Sequence, residues 1–105
     1  MGMGNMQQLA MKAQKLQQQM TEKQAELEER TYEASAGGGM VTATVNGKKQ
    51  LTAITIKPEA VDPDDVEMLQ DMILAAVNEA VKQADETTEA EMGKLPGGLG
   101  IPGLF

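Results

Sequence analysis

Apolar and polar side chains alternate most clearly between residues 40 and 56, where the sequence reads MVTATVNGKKQLTAITI. Val41, Ala43 and Val45 fall on one face of an extended chain, and Thr42 and Thr44 on the other. Asn46-Gly47 follows, two residue types that tolerate the positive φ of a tight hairpin turn. Residues 50–56, QLTAITI, are rich in β-branched side chains and predict the return strand. A two-residue loop would set Val45 against Lys48 and Ala43 against Gln50, which wastes the buried face. A three- or four-residue loop brings Leu51 and Ala53, or Ile54, opposite the valine row. The longer loop is expected, because register follows burial. Ahead of it, TYEASA (31–36) predicts a short first strand with Tyr32 and Ala34 on one face. Gly37-Gly38-Gly39 separates it from the hairpin. This glycine run leads into a strand and not into a helix, so it reads as a turn or a close backbone approach rather than a phosphate cradle.

On either side the apolar period lengthens to that of a helix. From Asn5, a good N-cap type, to about Arg30, the positions Leu9, Ala13, Leu16, Met20, Lys23 and Leu27 follow alternating spacings of four and three. Lys23 interrupts the seam. Such a helix is about 39 Å long, while a six-residue strand covers about 20 Å. One end of the seam therefore overhangs any sheet this chain can build, and a second copy is the simplest cover. The second helix is expected to open at Asp62-Pro63-Asp64-Asp65, with Asp62 as N-cap and Val61 and Val66 as a hydrophobic staple. Its apolar face is broad: Val66, Leu69, Ile73, Ala76, Val77, Ala80, Val81 and Ala84, widened by Met72 and Leu74. The alanine row permits close approach of a neighbour. Thr87 and Thr88 are potential breakers, Thr88 with Glu91 a potential last cap, and Gly93 a stop.

These elements define one α+β domain over residues 1–105. Residues 1–4 are expected to form a mobile start. Residues 95–105 form an apolar Gly/Pro-rich tail, either disordered or extended over a neighbouring surface. The architecture is a long helix, a three-stranded antiparallel sheet and a second long helix. Two aromatics and nine methionines make the core aliphatic and adaptable.

Charge divides the chain further. The net charge is −7, but residues 59–91 hold eleven acids and one lysine, whereas residues 1–20 and 34–58 hold lysines and no acid. The acids opening the second helix suit the positive end of its dipole and lack calcium-loop spacing. Without histidine or cysteine, the usual nucleophile–base pairs and thiolate metal sites are absent. No dinucleotide or P-loop fingerprint occurs. No apolar run approaches the roughly 20 residues that span a bilayer, and no signal peptide is recognisable at the start. The chain reads as non-enzymatic, with no cofactor, no small-molecule substrate and no membrane partner. Lys12, Lys23 and Arg30 share one row beside the helical seam, with Lys15 further round. Glu26 stands at i+3 from Lys23 and i−4 from Arg30. The row is either a solvated rim or a line of phosphate contacts.

The order helix, three strands, helix, together with AGGGMVTATVNGKKQLTAITI, VDPDDVEMLQDMILAAVNEA and the closing IPGLF, resembles the YbaB/EbfC family of bacterial nucleoid-associated proteins, in its Firmicutes-like form. The resemblance covers nearly the whole chain. It implies a homodimer with sheets from both subunits in the body and helices projecting like tweezers. It also implies binding to double-stranded DNA with little sequence preference, in the cytoplasm at the nucleoid, shaping DNA and influencing gene expression. No sharp DNA-contact motif carries over, so the candidate DNA-binding residues follow from charge alone: Lys12, Lys15, Lys23, Arg30, Lys48 and Lys49. With only Tyr32 and Phe105 as aromatics, the chain offers little to stack on bases, which argues against single-strand recognition. The alternative is a non-enzymatic protein–protein interaction module that uses the seam of the first helix and the apolar C-terminal tail.

Overall fold

A computed structural model describes residues 3–95, with side chains from Asn5 onward. The expectations for the first two residues and for the tail beyond Leu95 lie outside the described residues. Helix α1 spans Met3–Glu29, strands β1, β2 and β3 span Thr31–Ala36, Val41–Asn46 and Leu51–Ile56, and helix α2 spans Val66–Gly93. The three strands form an antiparallel meander in the order β1-β2-β3. The expected α-β-β-β-α architecture is present.

Local sequence explains most of these boundaries. Between Asn5 and Glu29, α1 contains no glycine or proline and is built mainly from Gln, Lys, Glu, Ala, Leu and Met, all good helix formers. It starts at Met3, so Asn5 is an internal helical residue and not the cap. The turn 37–39 places three successive glycines at φ of +65°, +69° and +90°, a conformation that side chains with a Cβ resist.

The β2–β3 connection is of the longer kind, and its chemistry differs from the usual Asn-Gly hairpin. Val45 pairs with Leu51 and Ala43 with Ile54. The Asn46 carboxamide oxygen accepts from the backbone N–H of Lys48 (2.9 Å) and of Gln50 (3.0 Å), which folds the loop around that side chain. The positive φ falls on Lys49, at +65°, not on Asn46 or Gly47. Gly47 serves another end. Its N–H donates to the Glu28 carbonyl at 3.2 Å, and a Cβ there would collide with the Leu27 carbonyl oxygen. The glycine is needed because α1 ends against this loop. A bulge after Thr44, with Thr52 as the extra residue, sets Leu51, Ile54 and Ile56 on the same face as the valine row.

Helix α2 begins three residues later than the Asp-Pro step implied. Pro58–Ala60 forms one 3-10 turn. Asp62 organises the following turn by accepting the Asp64 N–H at 2.9 Å. Asp65 is the N-cap, its carboxylate accepting from the Met68 N–H at 3.2 Å. Val61 and Val66 are consequently exposed and make no staple. Thr87 and Thr88 do not break the helix, which continues to Gly93.

The core lies between α2 and two of the three strands. Val41, Ala43 and Val45 of β2, Tyr32 and Ala34 of β1, and Ala76, Ala80 and Ala84 of α2 are buried together. Alanine at every fourth position lets the helix axis settle close to the sheet. Val41 and Val45 have no exposed surface, and burying each contributes about 1.5–3 kcal/mol. Because α2 crosses β1 and β2, β3 is left outside, with Leu51 49% and Ile54 40% exposed.

Candidate nucleic-acid interface

The six candidate cations lie on two adjoining parts of the molecule, α1 and the loop between β2 and β3. The last turns of α1 fix that arrangement. Leu27 is buried, and with Met20, Thr88 and Met92 it lines a groove of about 210 Å³ between the ends of the two helices. The Gly47–Glu28 hydrogen bond ties the same turn to the hairpin loop. N-terminal to this anchor, residues 5–15 are exposed at every position, so the beginning of α1 stands away from the body. At 1.5 Å per residue, Lys12 lies about 27 Å along the helix axis from Arg30.

The anchor is also where cations and carboxylates meet. Glu91 of α2 receives Lys23 Nζ at 3.2 Å and Arg30 Nη1 at 3.5 Å, with Lys94 Nζ at 3.8 Å. Glu26 of α1 adds a 2.6 Å contact to Arg30 Nη2 and a 3.8 Å contact to Lys23. The Lys23 hydrogen bond and charge, with the charges of Lys94 and Arg30, hold the Glu91 carboxyl below the usual carboxylate range. The Arg30 hydrogen bond and the Lys23 charge do the same for Glu26. The side chains of Lys23 and Glu91 are 23% and 21% exposed, so water screens this pair less than an open surface pair.

The candidates therefore separate into two groups. Lys23 and Arg30 are engaged by Glu26 and Glu91, and Lys49 contacts Asp85 of α2 at 2.6 Å. Lys12, Lys15 and Lys48 are exposed and form no ion pair among the described residues. Glu26 pairs with Lys23 and Arg30 as their spacing implies, and Glu91 joins it. Pairing of Glu26 with both cations was legible from their spacing. The part played by Glu91 was not, because it depends on two helices distant in sequence meeting at their ends. Lys94, three residues beyond Glu91, was the one local signal.

No group of histidine, cysteine or carboxylate side chains suited to a metal occurs among the described residues. No described helix is long and apolar enough to cross a membrane.

Comparison with known proteins agrees with this architecture. A crystal structure of an uncharacterized protein from Helicobacter pylori superposes with a TM-score of 0.72 at 21% identity, covering 92% of this chain and 99% of that one. At that identity the likeness concerns the fold. A nucleoid-associated protein of Clostridium acetobutylicum is 62% identical over 104 residues, 99% of this chain and 93% of its own length. Another, from Clostridium novyi, is 60% identical over 107 residues, covering 99% and 94%. Residues 3–99 match the model of the YbaB/EbfC DNA-binding family. The chain belongs to the YbaB/EbfC DNA-binding family.

Proposed function

We propose that this protein binds duplex DNA as a homodimer, through the phosphate backbone and with little sequence preference, at the nucleoid, where it shapes DNA and influences gene expression. The observation that carries the reading is the segregation of charge. The acids are concentrated in residues 59–91, on and just before α2, while Lys12 and Lys15, without an ion pair among the described residues, stand on an arm that projects from the body. Lys48 extends the same polarity to the hairpin loop. Two such arms brought together would present a local cationic surface on an acidic protein, which is what phosphate neutralisation requires. Lys23, Arg30 and Lys49, the other three candidates, are each already engaged by a carboxylate.

Strand β3 is the seat we assign to a second copy. Strand β3 is an edge, so one row of its backbone N–H and C=O groups has no partner strand. The same strand presents Leu51 and Ile54 beyond the cover of α2. Pairing of two β3 edges would satisfy the backbone and bury the apolar strip. In Ile54→Lys we expect the dimer to dissociate to monomers in light scattering, while helix content is kept. A stable dimer in that variant would place the interface elsewhere.

The DNA reading is tested by fluorescence anisotropy of a random-sequence duplex of about 25 base pairs at several salt concentrations. Binding that weakens linearly on a log–log salt plot, with a slope of about −0.9 per phosphate contact, is the expected result. Absence of binding at low salt by a confirmed dimer would rule the reading out for the isolated protein.

A further inference from the structure

Lys23, Arg30 and Lys94 converge from two helices on one carboxylate, that of Glu91. Three cationic groups around a single anionic group form the donor set that would receive a phosphate. The side chains of Lys23 and Glu91 are mostly covered there, while Lys94 is open to solvent. Lys23 lies on the same helix as Lys12 and Lys15. We propose that these three residues form a phosphate-binding site that the chain fills with its own Glu91 side chain, so that Glu91 acts as an internal competitor and keeps affinity for DNA low. This rests on the DNA reading above for its ligand. The geometry of the anion site itself is independent of that reading.

The charges support displacement rather than simple structural pairing. Glu26 already engages both Arg30 and Lys23, so α1 has its own neutralising carboxylate. Without Glu91, Lys23 and Arg30 would be left to Glu26, Lys94 would lose its carboxylate, and the three cations with Glu26 would hold two net positive charges. An incoming phosphate can restore the balance, accepting from the guanidinium and both ammonium groups in place of the carboxylate. The intramolecular carboxylate has the advantage of proximity, so only phosphates held nearby by other contacts compete with it effectively. Lys12 and Lys15, further along the same helix, are suited to hold a duplex there.

The test uses the full chain and two variants, Glu91→Gln to remove the charge and Glu91→Ala to remove the side chain. Circular dichroism checks that both retain the fold. With the random duplex, we expect three- to ten-fold tighter binding and a salt slope more negative by about one to two contacts. With inorganic phosphate alone, Glu91→Ala is expected to gain melting temperature and the unmodified protein to gain none. Unchanged or weaker duplex binding by both folded variants, while the unmodified protein binds, would overturn the competitor role. It would leave Glu91 as a residue that only positions the helices. If no form binds duplex, the DNA reading fails, and the inorganic phosphate arm still decides the site. A phosphate-dependent rise in Glu91→Ala supports it, and no rise refutes it.

Discussion

The two halves of α1 both read as helix with an apolar seam, yet only one is anchored. Both are rich in Gln, but the N-terminal half carries Lys12 and Lys15 and no acid, while the C-terminal half carries Glu22, Glu26, Glu28 and Glu29, with Lys23 interrupting the seam. In the C-terminal half, Leu27 is buried and Lys23 and Arg30 are engaged. In the N-terminal half, Leu9 is 65% exposed, and Lys12 and Lys15 are unpaired among the described residues. The difference is what stands opposite. The hairpin loop and the end of α2 meet one half, and nothing else in the described chain meets the other. A residue's type in this helix therefore predicts its role less well than its distance from the anchor.

The comparison is broken most severely by removing the anchor. In Gly47→Ala the new methyl group meets the Leu27 carbonyl, which belongs to the helix backbone and cannot rotate away. We expect a loss of about 2–4 kcal/mol and a fall in melting temperature of roughly 10 °C or more. An unchanged melting temperature would mean that α1 does not close on the loop. Alanine at Gly37 gives a useful contrast. There the steric conflict is with the flexible end of Met72, and the main cost is the positive φ, about 1–2 kcal/mol.

The projecting half is tested by the reverse pattern, a loss of binding without loss of stability. Lys12→Gln with Lys15→Gln is expected to weaken duplex binding about ten-fold or more at moderate salt and to make the salt slope shallower. Its melting temperature should stay within about a degree, since neither ammonium makes an ion pair among the described residues. A double variant that binds as tightly as the unmodified protein would move the contact surface off the arm.

The smallest effect concerns acid. Glu26 and Glu91 have carboxyl groups held below their ordinary value of 4.5. Their contribution to stability is therefore present above about pH 4.5 and is lost as pH falls through the lowered values. The urea midpoint is expected to drop modestly in that acid range. The drop should be smaller in Glu26→Gln with Glu91→Gln. An identical acid response in both proteins would assign the transition to other carboxylates.

Much of the fold was legible because its signals are local. Alternation along 31–36 and 41–45, three glycines in a row, and the apolar spacing of the two helices each act within a few residues. Most of what was misread involves surfaces far apart in sequence. Asn46-Gly47 suggests a hairpin turn of its own, yet the glycine is required by a helix that ends nearly twenty residues earlier. The apolar residues of β3 have the composition of a buried strand, but α2 is wide enough to cover only two strands. The start of α2 went astray because Asp62 and Asp65 are both good caps, and the 3-10 turn that delays the helix has little sequence signature. For the site, local spacing revealed that Glu26 would engage Lys23 and Arg30. It did not reveal Glu91, which reaches them across the junction of two helices.

The arm also governs how the molecule diffuses. A compact chain of this length has a radius of gyration of about 13 Å. This one has 20.4 Å and extends over 77 × 22 × 16 Å. A particle so anisometric experiences more friction than a sphere of equal mass, and it leaves a gel-filtration column early. A single 11.2 kDa chain would then elute where a heavier globular standard is expected. Elution volume alone would give a false stoichiometry, and subunit number has to be taken from scattered light or sedimentation equilibrium, which weigh the particle whatever its shape.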